Sequence, residues 1–256
     1  MTVRHPSFRS AASALLLGLA ALAFALPTSM QASWFRREPP RPGRTTMESS
    51  SVVVPAQIVG DYIIVTAKWD RRGPYNFLID TGASVTLVTP SLAQRYGTIV
   101  KQADGTRSQV SVKSSEGETT VLDAVSIKRI DLGDVRFDNV PALIYDCNAI
   151  SVHLGIRVDG ILGFPLFREV LLTLDYPRHR VILTSPGSAA ALQPGTPVPF
   201  NNEQRTPIIP LKIADQTFFA LIDSGSNSTL RLNPVGLTLK YAQAPRLGAI
   251  VSSLTG

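Results

Sequence analysis

Phe77-Leu78-Ile79-Asp80-Thr81-Gly82-Ala83-Ser84 is written a second time, with small changes, as Ala220-Leu221-Ile222-Asp223-Ser224-Gly225-Ser226-Asn227. Each copy is a short apolar strand that runs straight into an acid, a hydroxyl residue and a glycine. A carboxylate at the end of a buried strand is costly unless it is hydrogen-bonded or shared. One acid per copy suggests that the two meet. Carboxylates brought within about 3 Å cannot both ionise, so one holds a proton that the other lacks, and the pair can serve as acid and base together. Such a pair titrates as a unit. Gly82 and Gly225 allow the backbone to approach the acids closely, with amides placed to donate to them.

Outward from these two motifs, short runs of β-branched and aromatic residues alternate with Gly, Asp, Asn and Pro, as in Ile63-Ile64-Val65, Val170 to Leu174 and Val181-Ile182-Leu183. The chain therefore reads as mainly β. One short helix is expected after Pro90, through Ser91 to Tyr96, with Gly97 as its stop. The run Ile208 to Ile213, the turn Asp215-Gln216 and the approach to Asp223 repeat the order of Ile63 to Asp80, which is a duplicated domain rather than a solenoid. Expected boundaries are an export signal or anchor over 1–33, a Pro/Ser-rich tether over 34–51, lobe one over 52–185, a Pro/Gly-rich linker over 186–199 and a partial lobe two over 200–256.

The first repeat resembles the retropepsin-like aspartic peptidases of exported bacterial proteins, and the duplication is similar in plan to two-lobed pepsin-like enzymes. Three stretches carry the likeness: Asp80-Thr81-Gly82-Ala83-Ser84, Ile161-Leu162-Gly163 preceded by Asp159-Gly160, and the closing hairpin Leu174-Asp175-Tyr176-Pro177 with Val181-Ile182-Leu183. The resemblance spans about residues 52–184. It implies an acid-protease β-barrel lobe, a polypeptide substrate lying extended in a cleft, no cofactor and no metal. It implies Asp80 and Asp223 as the catalytic acids acting on a water between them, Thr81 and Ser224 as hydroxyls that cross-link the two loops, and Ile161-Leu162-Gly163 as the segment through which the first loop passes. A lid over such a cleft would be tipped by Ser115-Glu116-Gly117, a turn signal between two strand-like runs.

The second lobe is short against this pattern. Ile161 follows Asp80 by 81 residues, whereas only 33 follow Asp223. Three explanations are open: a truncated product, which is favoured; completion by another chain through strand exchange or dimerisation; or a remnant that binds peptides without cleaving them. An inactive peptide-binding or assembly module is thus one alternative to an endopeptidase. A homodimer of lobe one, uniting two copies of Asp80, is another.

Composition narrows the field. With 44% hydrophobic and 17% charged residues, the 256-residue chain has the makings of an ordinary core. Its formal charge of +6 is concentrated at the start, where six arginines against two glutamates in residues 1–51 leave only +2 for the remainder. Scattered basic residues without interleaved aromatics argue against nucleic-acid binding. Arg4, His5 and Arg9 followed by the apolar run Ala11 to Leu26 have the form of an export signal, ending near Ala32 or Ser33. The expected location is periplasmic or secreted, with an uncleaved N-terminal membrane anchor as the alternative. Cys147 is the sole cysteine and reads as a buried small hydrophobe. No Gly-x-Ser-x-Gly elbow occurs, and His5, His153 and His179 are too isolated to build a zinc site.

Overall fold

The apolar runs flanking the first acid become the central strands of the molecule. The computed structural model describes residues 42–114, 117–188, 196–200, 205–213 and 216–227. In chain order its elements are β1 (Arg44–Met47), β2 (Ser51–Val59), β3 (Tyr62–Trp69), β4 (Arg72–Asp80), β5 (Thr86–Val88), α1 (Pro90–Tyr96), β6 (Thr98–Ile99), β7 (Gln109–Lys113) and β8 (Thr119–Leu132). These are followed by β9 (Val135–Ile144), α2 (Asn148–Leu154), β10 (Gly160–Gly163), β11 (Leu171–Asp175), β12 (Arg180–Thr184), β13 (Ile208–Ile213) and β14 (Gln216–Leu221). The protein is mainly β.

Side-chain alternation along β3 and β4 divides the interior in two. Ile63, Val65, Ala67 and Trp69 face one cluster together with Phe77 and Ile79. Tyr62, Ile64 and Leu78 face a second, which also holds Leu87, Leu143, Cys147, Ile150 and Ile161. A strand buried on both faces needs an apolar run rather than an alternating one, and Tyr62 to Val65 supplies it. One connected sheet runs in the order β11-β12-β2-β3-β4-β10-β5-β9-β8-β6, with β1 added on β9 and β7 on β8.

β10 makes the decisive crossing. It lies parallel to β4, with Ile161 beside Leu78 and Gly163 beside Asp80, and antiparallel to β5. The chain leaving Asp80 must squeeze past it. A Cβ on Gly163 would fall 2.5 Å from the Val85 carbonyl oxygen, and one on Gly160 would fall 2.5 Å from that of Leu87. Only glycine permits this spacing at either position.

Asp159, just before β10, pins the crossing. It is 3% exposed, takes the Asn76 amide on Oδ2 at 3.0 Å and the Arg157 Nε on Oδ1 at 2.6 Å. Removing a buried acceptor leaves its donors unpaired. Asp159→Ala is therefore expected to lower unfolding free energy by about 2 kcal/mol, read from the denaturant midpoint; an unchanged midpoint would show that this clasp is dispensable.

Two expectations need correction. The tether over 34–51 is not wholly irregular: Arg44–Met47 pairs with β9 from Arg44↔Asp138 to Met47↔Val135, and β2 already begins at Ser51. The Pro and Ser residues on either side conceal a four-residue strand whose β-branched Thr45 and Thr46 suit a ladder. A second helix, α2, accompanies the one after Pro90. It lacks an acidic first turn and a side-chain cap, so the usual start signals are missing, but Ile150 and Leu154 bury one face and left-handed Gly155 ends it.

β13 and β14 form an antiparallel hairpin, Ile208↔Leu221 to Ile213↔Gln216, that leads into Asp223 as β3 and β4 lead into Asp80. The rest of the expected second lobe, from residue 228 onward, lies outside the described residues. So do the export segment, half of the linker (189–195) and the Asp215 turn position.

Candidate active site

Residue parity decides where Asp80 points. Leu78 turns into the second cluster, and Asp80, two positions further along β4, shares that face. The chain then doubles back. Gly82 and Ala83 amides both donate to Asp80 Oδ1, at 2.8 and 3.0 Å. At the second motif the Gly225 amide donates to Asp223 Oδ1 at 2.8 Å.

The two turns are tied to each other through their hydroxyl residues. The Thr81 amide donates to Ser224 Oγ at 3.0 Å, and the Ser224 amide returns the bond to Thr81 Oγ1 at 3.0 Å. Each hydroxyl then donates to the strand end of the opposite motif: Thr81 Oγ1 to the Ile222 carbonyl at 2.6 Å, Ser224 Oγ to the Ile79 carbonyl at 2.9 Å. Thr81 and Ser224 are both buried, and three of the four bonds are made away from water, where an unpaired group would be penalised; the bond to the Ile222 carbonyl is part-buried. This exchange brings the acids together. Each glycine backs onto the other turn's carboxyl: a Cβ on Gly82 would lie 2.5 Å from Asp223 Cγ, and one on Gly225 would press as hard on Asp80.

The pair is electrostatically unequal. Asp80 sits deeper than Asp223, which is exposed. Burial first, and then the charge of Asp223 and a hydrogen bond shared with it, push Asp80 from an ordinary 3.8 to about 7, against the pull of the Gly82 and Ala83 amides. Desolvation and a like charge both disfavour the anion, and they outweigh two donors. The pair therefore holds a proton to a higher pH than an isolated carboxyl would.

Of the sequence-predicted residues, Asp80, Thr81, Gly82, Asp223, Ser224 and Gly225 converge here. Ile161, Leu162 and Gly163 lie alongside as β10, and the Phe164 amide reaches the Ala83 carbonyl at 3.1 Å. Ser115 and Glu116 of the expected lid tip lie outside the described residues. Gly117 follows them at the tip of the β7–β8 hairpin with φ +95°, and Val112 and Leu122 of that hairpin pack on the second cluster, the face that Asp80 shares. Cys147 is buried, and desolvation, then the charges of Asp146 and Asp159, raise its thiol to about 12; it is no nucleophile. Among the described residues no three His, Cys, Asp or Glu side chains gather to hold a metal ion.

The aspartyl protease family model matches residues 65–166. That segment is similar to an aspartyl protease domain. A retropepsin-like aspartic protease of known structure from Rickettsia conorii is similar at 17% identity over 56% of this chain and 96% of its own, with a TM-score of 0.36. No curated protein matches the chain significantly. Within the matched segment lie Asp80, Thr81, Gly82 and β10; Asp223 lies beyond it, joined to it by the bonds described above.

Three features of the site leave little mark in the sequence. The Ile79 and Ile222 carbonyls accept the cross-linking hydroxyls, which no residue type reveals, because every residue carries a carbonyl. Asp159 enters the sequence reading only as the residue pair Asp159-Gly160 ahead of Ile161-Leu162-Gly163, with nothing to mark the clasp it makes. Tyr62 hides inside an apolar run, although the hairpin register points to it: the ladder ends at Ile64↔Leu78, and its continuation by two steps would bring Tyr62 across from Asp80.

Proposed function

We propose that the chain is an exported aspartic endopeptidase that hydrolyses peptide bonds with a water activated between Asp80 and Asp223. The observation that carries this is the reciprocal Thr81–Ser224 exchange, which holds two acids together at the ends of two strands, where burial raises the proton affinity of Asp80. A motif held only for structural reasons would have little need to put two carboxyls together at a desolvation cost.

The roles follow from the inequality of the pair. Asp223, the exposed member, takes a proton from the water as its oxygen attacks the scissile carbonyl carbon. Asp80 gives its proton to the carbonyl oxygen, so the tetrahedral intermediate forms as a neutral diol. Collapse reverses the traffic: the amine leaves with a proton from Asp223 as the C–N bond breaks, and Asp80 recovers its own from the intermediate. The Gly82, Ala83 and Gly225 amides fix both carboxyls throughout, so little reorganisation is needed as charge moves.

An extended polypeptide suits a β architecture, since strand edges can pair with it. The β7–β8 hairpin is the candidate lid, and export is motivated by the apolar run Ala11 to Leu26 behind Arg4 and Arg9.

The test is hydrolysis of a mixed peptide library from about pH 3 to about pH 9, with and without a hydroxyl-bearing mimic of the tetrahedral intermediate. Cleavage is expected in acid, blocked by the mimic. kcat/KM should decline with the loss of one proton as pH rises through about 7, because Asp80 then ionises and can no longer donate. Cleavage that persists undiminished at about pH 9, or peptide binding without cleavage at any pH, would sink the proposal.

A further inference from the structure

Tyr62 carries a hydroxyl that the mechanism above does not use. The residue is 3% exposed, and its Oη is buried without a hydrogen-bond partner among the described residues. A buried donor left unpaired costs about 1–3 kcal/mol, so such a group calls for an explanation. Its position supplies one. Continued two residues past Ile64↔Leu78, the β3–β4 register sets Tyr62 across from Asp80, and both side chains leave the sheet on the face of the second cluster. At its other side Tyr62 closes the tight β2–β3 turn, paired with Val59 across Gly60 and Asp61, which fixes where its ring can go.

We propose that Tyr62 is a positioning residue whose phenol O–H serves the Asp80–Asp223 pair as a hydrogen-bond donor, directly when the cleft is filled or across one bridging solvent molecule. The proposal rests on the catalytic role assigned to the pair, though its effect on proton affinity does not need turnover to be seen.

The charged groups around the phenol agree. Burial, then Asp61, Asp223 and Asp80, in that order, raise Tyr62 above its usual 10, so the hydroxyl keeps its proton and remains a donor throughout the working range. Tyr176, from the turn after β11, is raised by burial and then by Asp61 and Asp223. The other titratable members of the second cluster answer to different charges: Tyr145 to Cys147 and Asp146, Cys147 to Asp146 and Asp159. Among them, Tyr62 alone senses both acids of the pair. A donor aimed at a carboxylate oxygen of the pair favours the anionic form and so restrains the upward shift that burial imposes on Asp80.

The experiment is Tyr62→Phe, which keeps the ring and its packing, read in two ways. First, thermal stability is followed against pH in wild type, Tyr62→Phe and Asp80→Asn. A folded-state value raised from 3.8 to about 7 makes stability full below about pH 4 and lost as pH rises through 7; Asp80→Asn should remove that slope. In Tyr62→Phe the midpoint of the loss is expected about 0.5–1 pH unit higher, because the anion has lost a donor. Second, kcat should fall about tenfold with KM little changed and the alkaline limb moved the same way. If the hydroxyl is only an unsatisfied buried group, Tyr62→Phe will instead melt at a higher temperature with the midpoint, the alkaline limb and kcat unmoved, and the inference is overturned. A protein that never cleaves peptide but shows the shifted stability midpoint would refute the peptidase assignment while leaving the role of Tyr62 intact.

Discussion

Asp80→Asn and Asp223→Asn are each expected to reduce peptide hydrolysis by about 10³-fold or more while leaving the fold in place. The two losses have different causes. Asparagine at 80 can accept the Gly82 and Ala83 amides through its carbonyl oxygen, so the turn survives, but it cannot pass a proton to the scissile carbonyl. Asparagine at 223 keeps the Gly225 contact and removes the base that takes the water's proton. Above neutral pH Asp80→Asn should be more stable than wild type, since it deletes an anion that burial disfavours. The second substitution also decides between architectures. In a homodimer of lobe one, Asp223→Asn would leave kcat/KM almost untouched; within one chain it is as damaging as Asp80→Asn. The geometry favours the single-chain arrangement, because the Thr81 hydroxyl and amide are already engaged by Ile222 and Ser224 and would have to be released to face a second copy. Initial-rate assays at about pH 5 on both variants, with circular dichroism as the control for folding, separate the outcomes.

How much of this could be read from residues alone depends on the kind of signal each feature carries. The two acids and their hydroxyl and glycine neighbours were legible because a carboxylate after an apolar strand breaks the usual pattern and does so twice. Ile161-Leu162-Gly163 was legible only through likeness to a family, since nothing in three such residues says that β10 must lie parallel to β4 eighty positions earlier; non-local pairing leaves no local mark. β1 was lost because four residues with Thr at the centre are too few to show alternation beside prolines and serines. α2 was lost because tertiary burial of Ile150 and Leu154, rather than propensity or capping, makes its seven residues helical. Tyr62 was invisible for a subtler reason. An aromatic in an apolar run is normally core, and it is core here; what sets it apart is its place two residues past the Ile64↔Leu78 pair, toward Asp80, which exists only once β3 and β4 are paired.

Gly82→Ala is the second large effect, and it isolates packing from chemistry. The substitution removes no titratable group, no hydrogen bond and no polar atom. Its methyl would stand 2.5 Å from Asp223 Cγ, 2.6 Å from Oδ1 and 2.8 Å from Oδ2, all well inside van der Waals contact. Something has to yield, and the choices are poor. The backbone at 82 is held by its amide's bond to Asp80 Oδ1, and Asp223 is held by the Gly225 amide and by the Thr81–Ser224 exchange one residue away. Moving either turn by about 1 Å misaligns the acids, which costs roughly 10²-fold in rate even where groups are all present, and the overpacking itself should lower stability by about 1–3 kcal/mol. Gly225→Ala applies the same pressure to Asp80 from the other side, so the two variants should resemble each other. Gly187→Ala is the matched control: that glycine has φ +79° and open space around its missing Cβ, so alanine there meets local backbone strain of about 1 kcal/mol and no carboxyl. Turnover and melting temperature are measured on all three. Loss of both in Gly82→Ala and Gly225→Ala, with turnover intact in Gly187→Ala, is the expected pattern; wild-type turnover in Gly82→Ala would mean that the two turns do not press together in solution, and the shared proton would lose the enclosure that sustains it.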